Sequence, residues 1–168
     1  MKLGLGIYAG MATEDNLQFA RQIGATHIVQ HLPGEETLPS TKDGYWSYEE
    51  LQGLVDLVET AGLKLEAIEN FAPEHWSDVL LGGPRRDEQI ENLSKTIRNM
   101  GKAGIPVMGY YFSLAGVWGR TPGPYGRGGA VSVGYIEDEA PEQTQIPLGE
   151  VWGRQVDPDA PEGTIGKV

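Results

Sequence analysis

Arg120 and Arg127 stand in a stretch made, apart from Thr121, of glycine, proline and aromatic residues, WGRTPGPYGRGG. A guanidinium offers a planar fork of donors that matches a carboxylate, so two of them on one loop suit a small anionic ligand. Trp118 and Tyr111 precede the first arginine and could supply aromatic surface for a pocket wall. Elsewhere, single polar residues fall where short apolar runs end: Tyr8, His31, Glu69 and Asn70. An imidazole and a carboxylate in such positions can accept, donate or hold a proton at a hydroxyl. Each has a plainer reading as well. The arginines can pair with the acidic tail, the aromatics can pack the loop, and His31 can be a structural hydrogen-bonder. His27, inside the second apolar run, is expected to face the helix layer. His75, beside Trp76, is expected on the surface of a loop.

The elements that must position these residues follow from periodicity. Residues 3–8 read as a strand, with Leu3, Leu5 and Ile7 alternating with glycine. Thr13 is the expected cap of a helix with Glu14 and Asp15 in its first turn and an apolar face of Leu17, Ala20 and Ile23. Gly24 ends it. Residues 26–32 form the second strand, with His31 at its C-terminal end. After a polar loop, Ser47 and Glu50 have the spacing of a capping box before a helix over 48–61. Residues 63–69 are the third strand, with Glu69 and Asn70 at its exit. A third helix covers 85–102, its face set by Ile90, Leu93, Ile97 and Met100. Residues 105–112 are the fourth strand. Everything beyond is expected as loop, with 129–135 a candidate short strand or hairpin arm. Short strands alternating with helices favour a parallel sheet with right-handed crossovers.

Composition narrows the chemistry. Asp plus Glu number 24 against 13 Lys plus Arg, a net charge of −11. That excludes a general binder of the nucleic-acid backbone, which needs a basic footprint. Cysteine is absent, so there is no thiol nucleophile, disulfide or zinc–thiolate site. No run approaches the roughly 20 apolar residues of a membrane span. A cytoplasmic location is the expectation. The loop glycines do not have the spacing or strand-to-helix context of a phosphate-binding fingerprint, and the acidic tail lacks the spacing of an EF-hand.

The stretches MKLGLGIY, FARQIGATHIVQHL and GLKLEAIEN, and above all GIPVMGYYFSLAGVWGRT with YGRGGAVSVGY, resemble the N-terminal part of mannonate dehydratase. That family belongs to the sugar-isomerase-like TIM barrels. The resemblance runs over essentially the whole chain. It implies a partial (β/α)8 barrel, with residues 1–112 as its N-terminal half and 113–168 as a long substrate-side loop and acidic tail. A complete barrel needs about 250 residues. The resemblance further implies that the complete protein dehydrates D-mannonate to 2-keto-3-deoxy-D-gluconate with Mn2+ or Fe2+. It places the metal ligands and acid–base residues beyond residue 168, so this stretch alone is expected to be inactive. On that reading Arg120, Arg127, Trp118, His31, Glu69, Tyr111, Tyr8 and Asn70 are substrate-side residues, and none is a metal ligand. Two other readings stand beside it. One is a non-enzymatic half-barrel that pairs its edges as a homo-oligomer or serves in assembly or regulation. The other is a related sugar isomerase or epimerase.

Overall fold

The computed structural model describes residues 1–114, 119–140 and 146–165. The chain forms two compact units, Met1–Phe112 and Ser113–Val168. The first is a four-stranded parallel sheet in the order β1 (Gly4–Tyr8), β2 (His27–His31), β3 (Lys64–Glu69), β4 (Val107–Gly109). Helices α1 (Glu14–Gln22), α2 (Tyr48–Thr60), α3 (Ser77–Leu81) and α4 (Arg86–Lys102) lie between the strands. This is part of a (β/α)8 barrel, in which consecutive strands are neighbours joined through helices.

Local chemistry explains the elements. Thr13 caps α1 by accepting the amide of Asn16, as its position predicts. Ser47 caps α2 in the same way, accepting the amide of Glu50. The expected capping box is only half made. The Glu50 carboxylate instead accepts from the amide and hydroxyl of Ser40, and the Ser40 hydroxyl accepts from the amide of Ser47. Glu50 therefore reaches past the helix start and pins the preceding loop. Gly62, at φ 73°, ends α2 in the left-handed region that glycine adopts without strain.

The core lies between one face of the sheet and the helices. Ile7, Ile28, Leu65 and Ile68 are buried, as are Leu17, Ala20, Leu51, Leu54, Val58 and Met100. Burying one such side chain contributes about 1.5–3 kcal/mol. Two helix faces differ from the sequence reading. Ile23 is half exposed because it caps the end of α1. In α4 the buried residues are Gln89, Thr96 and Met100, while Ile90 and Ile97 face outward. The helix is rotated because its polar side chains satisfy loop backbone. Gln89 accepts the amides of Asp78 and Val79 and donates to the carbonyl of Glu74. Thr96 accepts the amide of Trp46. An unpaired buried backbone group costs about 1–3 kcal/mol, comparable to the gain from burying one isoleucine, and Gln89 and Thr96 together satisfy four backbone groups.

The fourth strand is shorter than expected, Val107–Gly109 rather than 105–112. Beyond it the chain is not all loop. β5 (Thr121–Gly123) pairs antiparallel with β6 (Ser132–Gly134), the expected hairpin arm. β7 (Ile146–Pro147) pairs with β10 (Thr164–Ile165), and β8 (Glu150–Val151) with β9 (Arg154–Gln155). Strands of two residues carry no periodicity to read. The β8–β9 turn is made by Trp152 and Gly153, both at positive φ, the geometry that suits a two-residue hairpin. Among the described residues no helix is long and apolar enough to cross a membrane.

Candidate functional site

The parallel register places Tyr8 opposite His31, His31 opposite Glu69, and Glu69 opposite Gly109. Four strand ends therefore form one row across the sheet, at the end where barrels of this class carry their chemistry. Alternation puts this row on the face opposite the buried Ile7, Gln30 and Ile68. His31 Nδ1 is 3.3 Å from Glu69 Oε2. The Tyr8 ring meets the His31 ring edge-on, with centroids 4.4 Å apart. His31 is mostly covered, at 22% side-chain exposure, whereas Glu69 is half exposed at 50%. The carboxylate beside Nδ1 thus favours the tautomer protonated there, while its other oxygen can still meet solvent or ligand.

The same alternation corrects the reading of His27. It lies two residues before Val29 and four before His31, on the open face and not against the helices. Its Nε2 is 3.5 Å from Glu66 Oε2. Glu66 also pairs with Lys2, whose hydrogen bond holds its carboxyl below the ordinary value of 4.5. This cluster lies at the other end of the strands from Tyr8, His31 and Glu69.

Three non-glycine residues with positive φ follow the row directly: Ala9 at 27°, Leu32 at 43° and Asn70 at 69°. Each comes one residue after a strand end. Asn tolerates this region, but Ala and Leu store strain of order 1–3 kcal/mol there. Hydrogen bonds hold them. The Ala9 carbonyl accepts from Gln30 Nε2 at 3.0 Å and Thr37 Oγ1 at 2.9 Å. The Leu32 amide donates to Glu69 O at 2.7 Å, and that of Asn70 to Gly109 O at 2.9 Å. Such concentrated strain marks a site where chain direction has been fixed at a cost.

The structure thus brings together Tyr8, His31, Glu69 and Asn70. Tyr111 lies just past β4 and is exposed at 41%. Arg120 and Arg127 belong to the second unit, Arg120 directly before β5 and Arg127 in a single turn, Arg127–Gly129, within the hairpin loop. Both are exposed, and neither has an ion-pair partner among the described residues. Trp118 lies outside the described residues. His31 and Glu69 offer two metal donors, but no group of three or more His, Cys, Asp or Glu side chains comes together among the described residues. Two donors alone do not make a metal site.

Sequence reasoning missed a buried cluster in the loops after β2 and β3. Leu38 and Trp46, in the β2–α2 loop, are wholly buried. Phe71 stacks on Trp46 at 4.7 Å between centroids, and His75 closes the group at 5.9 Å from Phe71. His75 is 3% exposed, so it is core and not surface. Burial pushes its pKa below the ordinary 6.5, against the opposing pull of its bond to the Ala72 carbonyl. A tryptophan and a phenylalanine within loops flanking one histidine were the available signal.

A separate groove of about 380 Å³ lies in the helix layer, lined by Leu17 and Arg21 of α1 and by Leu57 and Thr60 of α2. None of the strand-end residues lines it.

Comparison with known proteins adds the following. The model of the family described as D-mannonate dehydratase (UxuA) matches residues 1–148. The mannonate dehydratase of Thermotoga maritima is 49% identical over 76 residues, which is 45% of this chain and 21% of that protein. That of Thermotoga petrophila is 47% identical over the same span and shares. That of Streptococcus pneumoniae is 45% identical over 76 residues, 45% of this chain and 20% of that protein. The matched stretch is therefore about a fifth of the length of each relative.

Proposed function

Because the chain belongs to the D-mannonate dehydratase (UxuA) family, we propose that the protein it represents removes water from D-mannonate to give 2-keto-3-deoxy-D-gluconate. The observation that carries this reading is the family match over residues 1–148, which includes every strand end of the row. The reaction breaks the C–H bond beside the carboxylate and the C–O bond of the next carbon. The proton and hydroxide leave as water, and the resulting enol becomes the keto acid.

The residues of this chain serve substrate holding. His31, oriented by Glu69, donates to or accepts from a substrate hydroxyl, and the free Glu69 oxygen takes a second. Tyr8 and Asn70 complete that rim. Arg120 and Arg127 read the carboxylate, and Tyr111 and Trp118 wall the sugar acid. Mn2+ or Fe2+, acting as a Lewis acid in the complete protein, would be held by residues other than those described, and none of these roles depends on it. The substrate is a small sugar acid, and the chain alone is proposed to lack turnover.

The test is an assay of the complete protein with D-mannonate and manganese, following 2-keto-3-deoxy-D-gluconate. Product formation that falls at least tenfold in His31→Asn supports the reading. A complete protein that is folded, metal-loaded and silent on D-mannonate sinks it.

A further inference from the structure

We propose that Trp46 and His75 hold one hydroxyl oxygen between them, in a buried site formed by the loops after β2 and β3. Two complementary groups lack partners there. The Nδ1 of His75 lies 3.2 Å from the carbonyl of Ala72. A carbonyl only accepts, so Nδ1 carries the proton. Nε2 is then the bare acceptor of a neutral ring, and it is buried without a partner among the described residues. The indole Nε1 of Trp46, which can only donate, is likewise buried without a partner among the described residues. The two rings are 6.3 Å apart between centroids, inclined at 62°.

A single hydroxyl oxygen satisfies both nitrogens at once: it accepts from the indole and donates to the imidazole. A carboxylate cannot donate to Nε2, and an ammonium cannot accept from Nε1. The chemistry is therefore that of water or an alcohol. The site is built, because its parts are held from outside. Trp46 has its amide bound by Thr96 Oγ1 at 3.0 Å and its carbonyl by Asn99 Nδ2 at 2.7 Å. Phe71 stacks against its ring. The loop bearing His75 is held by Gln89, which bonds the Glu74 carbonyl. An unpaired buried polar group costs about 1–3 kcal/mol, and here two are relieved by one oxygen.

The two sources of that oxygen, an internal water and a hydroxyl of a bound polyol, are separated by nuclear magnetic resonance on the 15N-labelled protein. At neutral pH, His75 is expected in the Nδ1–H form with Nε2 shifted as a hydrogen-bond acceptor. If the oxygen is water, one long-lived water gives cross-peaks to both the Trp46 indole proton and the His75 ring, unchanged by D-mannonate. If it belongs to a ligand, these cross-peaks are missing and both nitrogens shift saturably as D-mannonate is added. Trp46→Phe, which keeps the stacked ring, identifies the indole signal and is expected to abolish the shared contact at His75. An Nε2–H tautomer for His75 overturns the proposal. So does a wild-type spectrum with neither the shared water nor a response to D-mannonate. These readings are independent of turnover, so an inactive enzyme leaves the test intact.

Discussion

At the scale of single residues, the pairing of His31 with Glu69 makes separable claims. Glu69→Gln keeps an acceptor beside His31 but removes the charge that orients the ring. In the complete protein, turnover of D-mannonate is expected to fall about 10–100-fold, the lower part of what a positioned acid–base group supplies. Tyr8→Phe keeps the edge contact with His31 and loses only the hydroxyl. It is expected to cost less than Glu69→Gln if the ring matters more than the phenol, and kcat and KM measured on both variants check this. His75 gives a pH prediction. Burial lowers its pKa, with Glu74 pulling upward and Arg85 downward. The unfolded chain therefore binds the proton at a higher pH than the folded one, and stability rises with pH across that window. As pH falls below about 6.5, the melting temperature is expected to drop, and His75→Phe is expected to flatten that slope. His31 was legible because branched Ile28 and Val29 announce a strand that ends there. His75 was not, because its burial depends on Trp46 and Phe71, which reach it from separate places in the chain.

At the scale of elements, helices and strands were readable and their rotation was not. Thr13, Ser47 and Gly62 mark α1 and α2 because capping chemistry is local. The face of α4 is set by distant loops, whose amides and carbonyls need Gln89, Thr96 and Asn99. Apolar spacing alone therefore chose Ile90 and Ile97, which turn out exposed. This assigns Thr96 a testable weight. Thr96→Val keeps the shape and leaves the Trp46 amide unpaired in the core, which is expected to cost about 1–3 kcal/mol in chemical denaturation. Ile97→Val, on the outer face of the same helix, is expected to cost less than about 0.5 kcal/mol. A larger loss at Ile97 than at Thr96 would contradict the observed rotation. Gly62→Ala tests the helix end. Its φ of 73° disfavours any side chain, and a Cβ would lie 2.8 Å from Arg21 Nη1. The Arg21 guanidinium bonds the Gly62 carbonyl, so moving it aside removes that bond too. A loss of about 1–2 kcal/mol is expected.

At the scale of the molecule, the sheet has two edges, since among the described residues β1 pairs only with β2 and β4 only with β3. One face carries the helices. The other presents Gly6, Val29, Ala67 and Val107 in one register row, with Val107 exposed at 45%. Open parallel edges beside an apolar face invite association. The 168-residue chain alone is expected to self-associate in light scattering, and Val107→Lys is expected to reduce this without lowering its melting temperature, because the side chain is already half exposed. In the complete barrel the same row is expected to face the interior, where an added ammonium must be taken out of water. There Val107→Lys is expected to destabilise by several kcal/mol. One substitution thus carries opposite signs in the two contexts. Equal tolerance in both would mean that this face stays open in the complete protein, and the partial sheet would then have to be understood as a unit in its own right.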